Sequence, residues 1–249
     1  MKEKRSITVM VPAYNEEKNL AKTVGKYDTV VKSLFDDYEF IIFDDCSSDR
    51  TGEIADELAK KNKNMRVVHN KQNMGMGYNY REGIKLSQKG YYIYFNGKGE
   101  VLSSSAREIL SHIGEADIII SYIGNPEARS LYRRIISNAF VILLNMIFGY
   151  HLKYYTGPVI YKTKILKKVK TTKKIDSAVF LAEILIRVLR KGYSYKEVPF
   201  YMEKTERTKF FRIKNLIEIF FGIIRLFFNM MVKKEKERKN NNKDGNQEM

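Results

Sequence analysis

Five short runs of β-branched and aromatic residues recur along the first half of the chain: ITVMV at 7–11, FIIF at 40–43, MRVV at 65–68, YYIYF at 91–95 and ADIIISY at 116–122. Between them, segments 16–35, 51–62, 76–88 and 103–113 carry helix formers, polar faces and Gly or Asn near their ends. Strands that are apolar along their whole length need cover on both faces, and strands joined through helices run parallel. The pattern therefore predicts an α/β fold built on a mostly parallel sheet with helices on both faces. Ligands of such sheets bind beyond the carboxyl ends of the strands. The segments to inspect are those that follow the runs, namely PAYNEE, DDCSSDRT, HNKQNMGMG and NGKGE.

With 249 residues, of which 44% are hydrophobic and 12% aromatic, the chain can bury a sizeable core, which excludes a wholly disordered protein and a disulfide-stapled miniature. Its single cysteine, Cys46, forms no internal disulfide and favours a reducing, cytoplasmic setting. The N-terminal MKEKRSITVMVPAYNEE reaches Pro12, Glu16 and Glu17 before any long apolar core develops, so it reads as a first strand rather than a leader.

The formal charge of +16 is unevenly placed. Residues 1–125 hold 18 basic and 18 acidic side chains, whereas 126–249 hold 27 and 11. A polyanion or an anionic membrane surface fits the second half as a partner, as does a plain solvated basic face. Nucleic acid is not expected, because no recognisable module is present and the cations alternate with long apolar faces.

Those faces are two. In IISNAFVILLNMIFG at 135–149 the apolar residues span most of a helical wheel, with Arg133, Arg134, Ser137, Asn138 and Asn145 on one side. The segment is too short for a bilayer of about 30 Å, and a place in the core is the favoured reading. In IKNLIEIFFGIIRLFFNMMV at 213–232, Lys214, Asn215, Glu218, Arg225 and Asn229 fall within an arc of roughly 100°. The basic KKEKERK at 233–239 follows and tips this helix toward a membrane interface.

The loop 11–17 sets a rigid proline, an aromatic ring and a carboxylate at a strand end. These groups suit a nucleobase or ribose, although Asn15 and Glu16 also suit a helix boundary. In the loop 44–51, carboxylates can accept from a base N–H or from ribose hydroxyls, while Ser47, Ser48 and Asp49 suit the start of the next helix. A phosphorylated receiver domain would also place acidic residues there, but its later Lys and Thr signals do not follow. The three histidines, His69, His112 and His151, lack metal-ligand spacing. Glu183 reads either as a site carboxylate or as an ion pair with Arg187 one turn on.

Together the first two loops resemble those of the family 2 glycosyltransferases, whose GT-A fold opens with P-x-Y-N-E and D-D-x-S-x-D-x-T. Asn73-Met74-Gly75-Met76-Gly77 with Gly83 looks like the family's nucleotide-supporting N-x-G region, with Asn79 or Tyr80 where a small residue is usual. Asn125-Pro126-Glu127-Ala128-Arg129-Ser130, then Arg133, Arg134, Ser137 and Tyr154-Tyr155-Thr156-Gly157, resemble the dolichol-phosphate mannose synthase and bacterial polyprenyl-phosphate glycosyltransferase branch, as do Glu183 and Glu197-Val198-Pro199.

The resemblance runs from about residue 6 to about 230 and implies an inverting transfer of sugar from a UDP- or GDP-sugar to a polyprenyl phosphate or related lipid. It implies a nucleotide pocket of Pro12, Ala13, Tyr14, Glu16, Phe43, Asp45, Asn73 and Gly75. Candidate phosphate contacts are Arg129, Arg133, Arg134 and Lys209. It divides the chain into a GT-A domain at 1–212, with nucleotide-binding and acceptor halves at 1–125 and 126–212, an interface helix at 213–232 and a polar tail at 233–249. Peripheral attachment to the cytoplasmic face of a membrane is expected, with a membrane-protein partner or a homo-oligomer compatible.

The chain departs from these relatives after YYIYF, where Asp-x-Asp or Gly-Asp-x-Glu normally holds Mg²⁺ or Mn²⁺ on the diphosphate and Asn96-Gly97-Lys98-Gly99-Glu100 stands here. An ammonium has donors only and repels a cation, which leaves Glu100 as a single candidate ligand. Either Lys98 neutralises the diphosphate directly, making metal-independent action an expectation beside Mg or Mn, or donor binding persists without catalysis. Lys98, Glu100 and Arg129 are accordingly the candidate catalytic residues. Tyr122 and Lys153 replace an arginine and an aspartate of the dolichol-type relatives, and Cys46 replaces a glycine, where a left-handed backbone would be strained.

Overall fold

The computed structural model describes residues 5–170, 179–204 and 221–228. Its centre is a seven-stranded sheet in the order β3-β2-β1-β4-β6-β5-β7. The strands are β1 (Ser6–Ala13), β2 (Asp37–Asp44), β3 (Met65–His69), β4 (Tyr91–Tyr94), β5 (Ile118–Ile123), β6 (Val159–Lys162) and β7 (Tyr195–Phe200). β1 pairs parallel with β2 and β4, and β6 alone runs against its neighbours β4 and β5. All five strands expected from the apolar runs form. β6 has only four residues, too few to show a period, and β7 carries Pro199 on an edge strand, where a missing N–H is tolerated.

The helices are α1 (Leu20–Lys32), α2 (Thr51–Lys61), α3 (Met76–Leu86), α4 (Ser103–Ser111), α5 (Leu131–Phe148), α6 (Thr163–Leu166) and α7 (Val179–Leu189). β1 sits fully buried from Ile7 to Val11 under this double cover, and its one polar residue there, Thr8, donates to Glu39 Oε1 at 2.7 Å. Tyr27 of α1 stacks on Phe95 at 4.3 Å between ring centroids and closes the layer beside β4. From β1 the chain moves outward to β2 and β3, then returns to the other side of β1 with β4. The connections thus diverge at the carboxyl ends of β1 and β4, which is where a crevice opens in such a sheet.

The expectation that 135–149 is core is overturned. α5 spans 18 residues, of which only Val141 and Leu144 are buried. Ile135, Ile142 and Met146 are 59%, 58% and 76% exposed, with Leu131 and Tyr132 exposed beside them. By length and composition alone this helix is apolar enough to cross a membrane. It is nevertheless fixed to the domain, because Asn145 donates to Leu152 O, accepts from Leu152 N and accepts from Tyr155 Oη at 2.7 Å. Periodicity reports which residues share a face. Whether anything covers that face depends on the rest of the fold.

Within 213–232 the described residues 221–228 are helical, with Ile223 and Leu226 buried and Phe221 and Phe228 exposed. Gly222 passes so close to α7 that a Cβ there would lie 3.1 Å from Val179. The remainder of that segment, the tail at 233–249 and Lys209 lie outside the described residues.

Candidate functional site

The carboxyl ends of β1 and β2 lie side by side, Ala13 paired with Asp44, and the loops beyond them are sewn together. Asn15 N donates to Ser47 Oγ, Ser48 N to Asn15 Oδ1, Glu16 N to Thr51 Oγ1 at 2.7 Å, and Arg50 N to Glu17 Oε2. The polar residues that suit helix caps thus mostly serve the neighbouring loop, 32 to 35 positions away. Asp49 and Glu16 also act locally, Asp49 accepting from Thr51 N and Glu16 from Asn19 Nδ2. Among the described residues, two with side chains adopt a left-handed backbone, Asn15 at φ 54° and Cys46 at φ 62°. Asn tolerates that region, whereas Cys46 bears the strain expected at a position where relatives carry glycine, roughly 1 kcal/mol.

Asp45 fastens a third loop to these two. Its carboxylate accepts from Asn70 Nδ2 at 2.7 Å, Met74 N at 2.8 Å and Gly75 N at 2.9 Å. The buried Asn79, at the position expected to be small, accepts a second bond from Asn70. The preceding Asp44 accepts from Ser47 N and pairs with His69 Nδ1 at 3.0 Å, while His69 Nε2 reaches Asp56. These two carboxylates hold the His69 pKa above its ordinary value.

A cleft of about 730 Å³ opens beyond these strand ends. Pro12, Ala13, Tyr14, Glu16 and Asp45 line one side of it, and Lys98, Glu100, Arg129 and Arg133 line it as well. Side chains more than 100 positions apart therefore meet in one cavity. Four candidates do not join them. Phe43 is fully buried in the core beneath α3, where its ring faces Gly83. Asn73 is exposed outside the cleft, Gly75 contributes only its backbone N–H to Asp45, and Arg134 does not line the cleft.

The loop after β4 is packed tightly against α1 and β1. A Cβ on Gly97 would lie 2.9 Å from Pro12 O, and one on Gly99, at φ 69°, would lie 2.4 Å from Thr23 Oγ1. Asn96 Oδ1 accepts from Gly99 N, Asn96 Nδ2 donates to Glu100 Oε2 at 3.0 Å, and Lys26 Nζ donates to Gly99 O. Burial of Lys26 lowers its pKa. Lys98 projects exposed from this fixed turn.

In the same cleft, Arg129 Nη1 donates to Tyr154 Oη at 2.8 Å, and Arg133 stands within the fields of Arg129, Glu100 and Tyr154. Burial, followed by the like charge of Arg129, depresses the Arg133 pKa. Burial likewise pushes the pKa of the cleft-lining Tyr94 well above its ordinary value.

The paired departures at Tyr122 and Lys153 touch one another, with Lys153 Nζ lying 4.3 Å from the Tyr122 ring centre. A cation–π contact therefore occupies the place where relatives have an aspartate and an arginine. Glu183 is fully buried and accepts from Arg187 Nε at 2.7 Å, which makes it a structural ion pair.

The donor set does not suit a protein-held divalent cation. Among the described residues no three His, Cys, Asp or Glu side chains gather closely enough to hold one. Of the family's carboxylate motif only Glu100 remains, already bonded to Asn96.

Sequence reasoning missed Tyr94 and Met202 as lining residues, together with the apolar wall of Ile136, Phe140, Leu181 and Phe200. They arrive from β4, α5, α7, β7 and the residues just beyond β7, and no local motif joins those elements. The Tyr154–Gly157 run was the one available signal.

The relatives and solved structures fit this geometry. A protein described as uncharacterized glycosyltransferase EpsJ from Bacillus subtilis is 31% identical over 109 residues, 44% of this chain and 30% of its own length. The dolichol-phosphate mannosyltransferase of Pyrococcus furiosus is 27% identical over 201 residues, covering 78% of this chain and 55% of that protein. This chain thus spans about a third to a half of the curated relatives it matches.

Among solved structures, glucosyl-3-phosphoglycerate synthase from Mycobacterium tuberculosis, crystallised with Mn²⁺, UDP and phosphoglyceric acid, superposes with a TM-score of 0.66. It is 16% identical, with 90% of this chain and 78% of that one covered, and it supports the GT-A fold. The model of glycosyl transferase family 2 matches residues 8–176, from β1 through β6. By that match over more than half its length, with both strand-end loops inside it, the chain belongs to glycosyl transferase family 2.

Proposed function

We propose that this protein transfers a sugar, with inversion, from a nucleoside diphosphate sugar to a lipid-borne phosphate at a membrane surface. The observation that carries this reading is the composition of the cleft beyond the strand ends. Its Pro12, Tyr14 and Asp45 side suits a nucleoside. Its Arg129 and Arg133 side suits phosphate and continues into the apolar wall of Ile136, Phe140, Leu181 and Phe200. A phosphate acceptor is already an anionic nucleophile near neutral pH, so the site has less need of a strong base than one acting on a sugar hydroxyl. What it must supply is positioning and stabilisation of the departing diphosphate.

Peripheral attachment to the cytoplasmic face of a membrane fits the outward apolar face of α5. It also fits the excess of 27 basic over 11 acidic side chains in residues 126–249. The dolichol-phosphate mannosyltransferase among the relatives supports a lipid acceptor, and the synthase crystallised with UDP supports a uridine donor. That synthase was crystallised with Mn²⁺, so a divalent cation accompanying the donor is compatible with the relationship.

The test is transfer of labelled sugar from UDP- and GDP-sugars to polyprenyl phosphate in anionic vesicles. Extractable glycolipid is expected, whereas transfer only to water-soluble hydroxyl acceptors would overturn the lipid reading. A second reading, donor binding without transfer, is favoured by one observation, Lys98 in the metal-motif loop. It predicts nucleotide binding without turnover, with metal-dependent turnover gained by Lys98→Asp.

A further inference from the structure

We propose that Lys98, acting with Arg129 and Arg133, supplies the positive charge that a divalent cation supplies in relatives, so that the donor is held and its diphosphate released without metal. The proposal rests on the donor reading above and concerns how that donor is bound.

Four observations carry it. The loop from Asn96 to Glu100 is not degraded. Both glycines pack where a Cβ would collide, Asn96 closes the turn, and Lys26 holds Gly99 O, so the backbone beneath Lys98 is fixed. A loop built to this tolerance carries a hydrogen-bond donor where a ligand would stand, and an ammonium binds phosphate oxygens but no cation.

Second, the remaining carboxylate is already engaged, since Glu100 accepts from Asn96 and lies in the field of Arg133. Third, Arg129 and Arg133 are neighbours of like charge, and Arg133 is desolvated as well. Glu100 offsets part of that repulsion, and a phosphate in the same cleft would offset more. Fourth, Lys98, Arg129 and Arg133 line the same cleft, so three cations are within it to meet the two negative charges of a sugar-linked nucleoside diphosphate.

The transfer step needs no proton to move. An oxygen of the dianionic acceptor phosphate forms a bond to the anomeric carbon as the bond from that carbon to the β-phosphate oxygen breaks. The bonding electron pair leaves with the nucleoside diphosphate, which gains one negative charge while the acceptor phosphate loses one. The charge that develops on the β-phosphate is the charge that Lys98 and the two arginines face throughout, so nothing has to be recruited during the reaction.

Calorimetric titration of the full chain with UDP and with GDP, in EDTA and in Mn²⁺, tests this. Wild type is expected to bind one of the two, with an affinity that changes by less than about threefold between the two conditions, well under the tenfold that 1.4 kcal/mol would give. Lys98→Ala is expected to weaken that binding by about 10- to 100-fold in EDTA, the range for loss of one charged hydrogen bond. Lys98→Asp is expected to bind only with Mn²⁺. Thermal melting of each variant confirms the fold.

If EDTA weakens wild-type binding by about tenfold or more, or Lys98→Ala binds like wild type in EDTA, the metal-free assignment is wrong and the donor reading survives. Failure of wild type to bind either nucleotide in both conditions would overturn the donor reading and this assignment with it.

Discussion

The two walls of the cleft are built on opposite principles. On the nucleotide side, the loops after β1, β2 and β3 satisfy one another. Asn15 and Glu16 bond to Ser47, Ser48 and Thr51, Glu17 bonds to Asp49 and Arg50, and Asp45 gathers Asn70, Met74 and Gly75. On the acceptor side, α5 turns Arg133, Ile136, Ser137 and Phe140 into the cleft and leaves Leu131, Ile135, Ile142 and Met146 to the outside. The first wall is held by hydrogen bonds among its own loops, whereas the second leaves exposed apolar residues on the far face of its helix. Tight internal bonding goes with recognition of one ligand class, whereas an uncovered apolar helix goes with a surface to sit on.

Removing Asp45 should sharpen the contrast most. Asp45→Ala strips two backbone N–H groups of their acceptor, and an expected loss of about 3 kcal/mol follows from roughly 1–3 kcal/mol per unsatisfied buried donor. Urea denaturation would show it, with nucleoside diphosphate binding lost alongside. A change under about 1 kcal/mol would mean that the loop 70–75 holds itself.

Gly99→Ala should come next, at about 2 kcal/mol, because the left-handed backbone disfavours a Cβ and Thr23 Oγ1 stands in its way. Stability indistinguishable from wild type would show that the loop under Lys98 is looser than its packing implies.

The paired change Ile135→Glu with Met146→Glu inverts the expectation for the other wall. Stability should move by no more than about 0.5 kcal/mol, the usual range for exposed positions. Sedimentation with anionic vesicles should fall several-fold or more. A destabilisation above about 2 kcal/mol would place this face inside the folded protein and break the comparison.

The smallest effect concerns His69, whose pKa is raised by Asp44 and Asp56. The contribution of protonated His69 to stability is fully present below its unfolded-state value and disappears as pH rises through the higher folded value. His69→Gln should therefore lower the melting temperature slightly at acidic pH and leave it unchanged at alkaline pH. With the side chain 46% exposed the shift should be modest. A pH-independent difference between the two proteins would assign His69 a packing role only.

Much of the nucleotide side was legible before any coordinates. Pro12 and Ala13 end β1, Tyr14, Glu16 and Asp45 follow strand ends, and the topology of a doubly covered parallel sheet brings such ends together. Phe43 was misplaced because the side chain one position before a strand-end carboxylate can point to either face, and only the packing of α3 over Gly83 settles which. Glu183 gave no sequence signal separating a site carboxylate from an ion pair, and the helical spacing to Arg187 proved to be its structure.

The sequence by itself determined the alternation of strands and helices, the strand-end loops and the lysine in the metal-motif loop, since each is a local pattern of residue type and spacing. Tertiary structure alone decided that Arg129 and Arg133 share a cleft with Lys98 and Glu100, that Lys153 finds Tyr122, and that the apolar face of α5 looks outward. Those are relations between elements distant along the chain. They are fixed by how the sheet orders its strands, which no window of neighbouring residues contains.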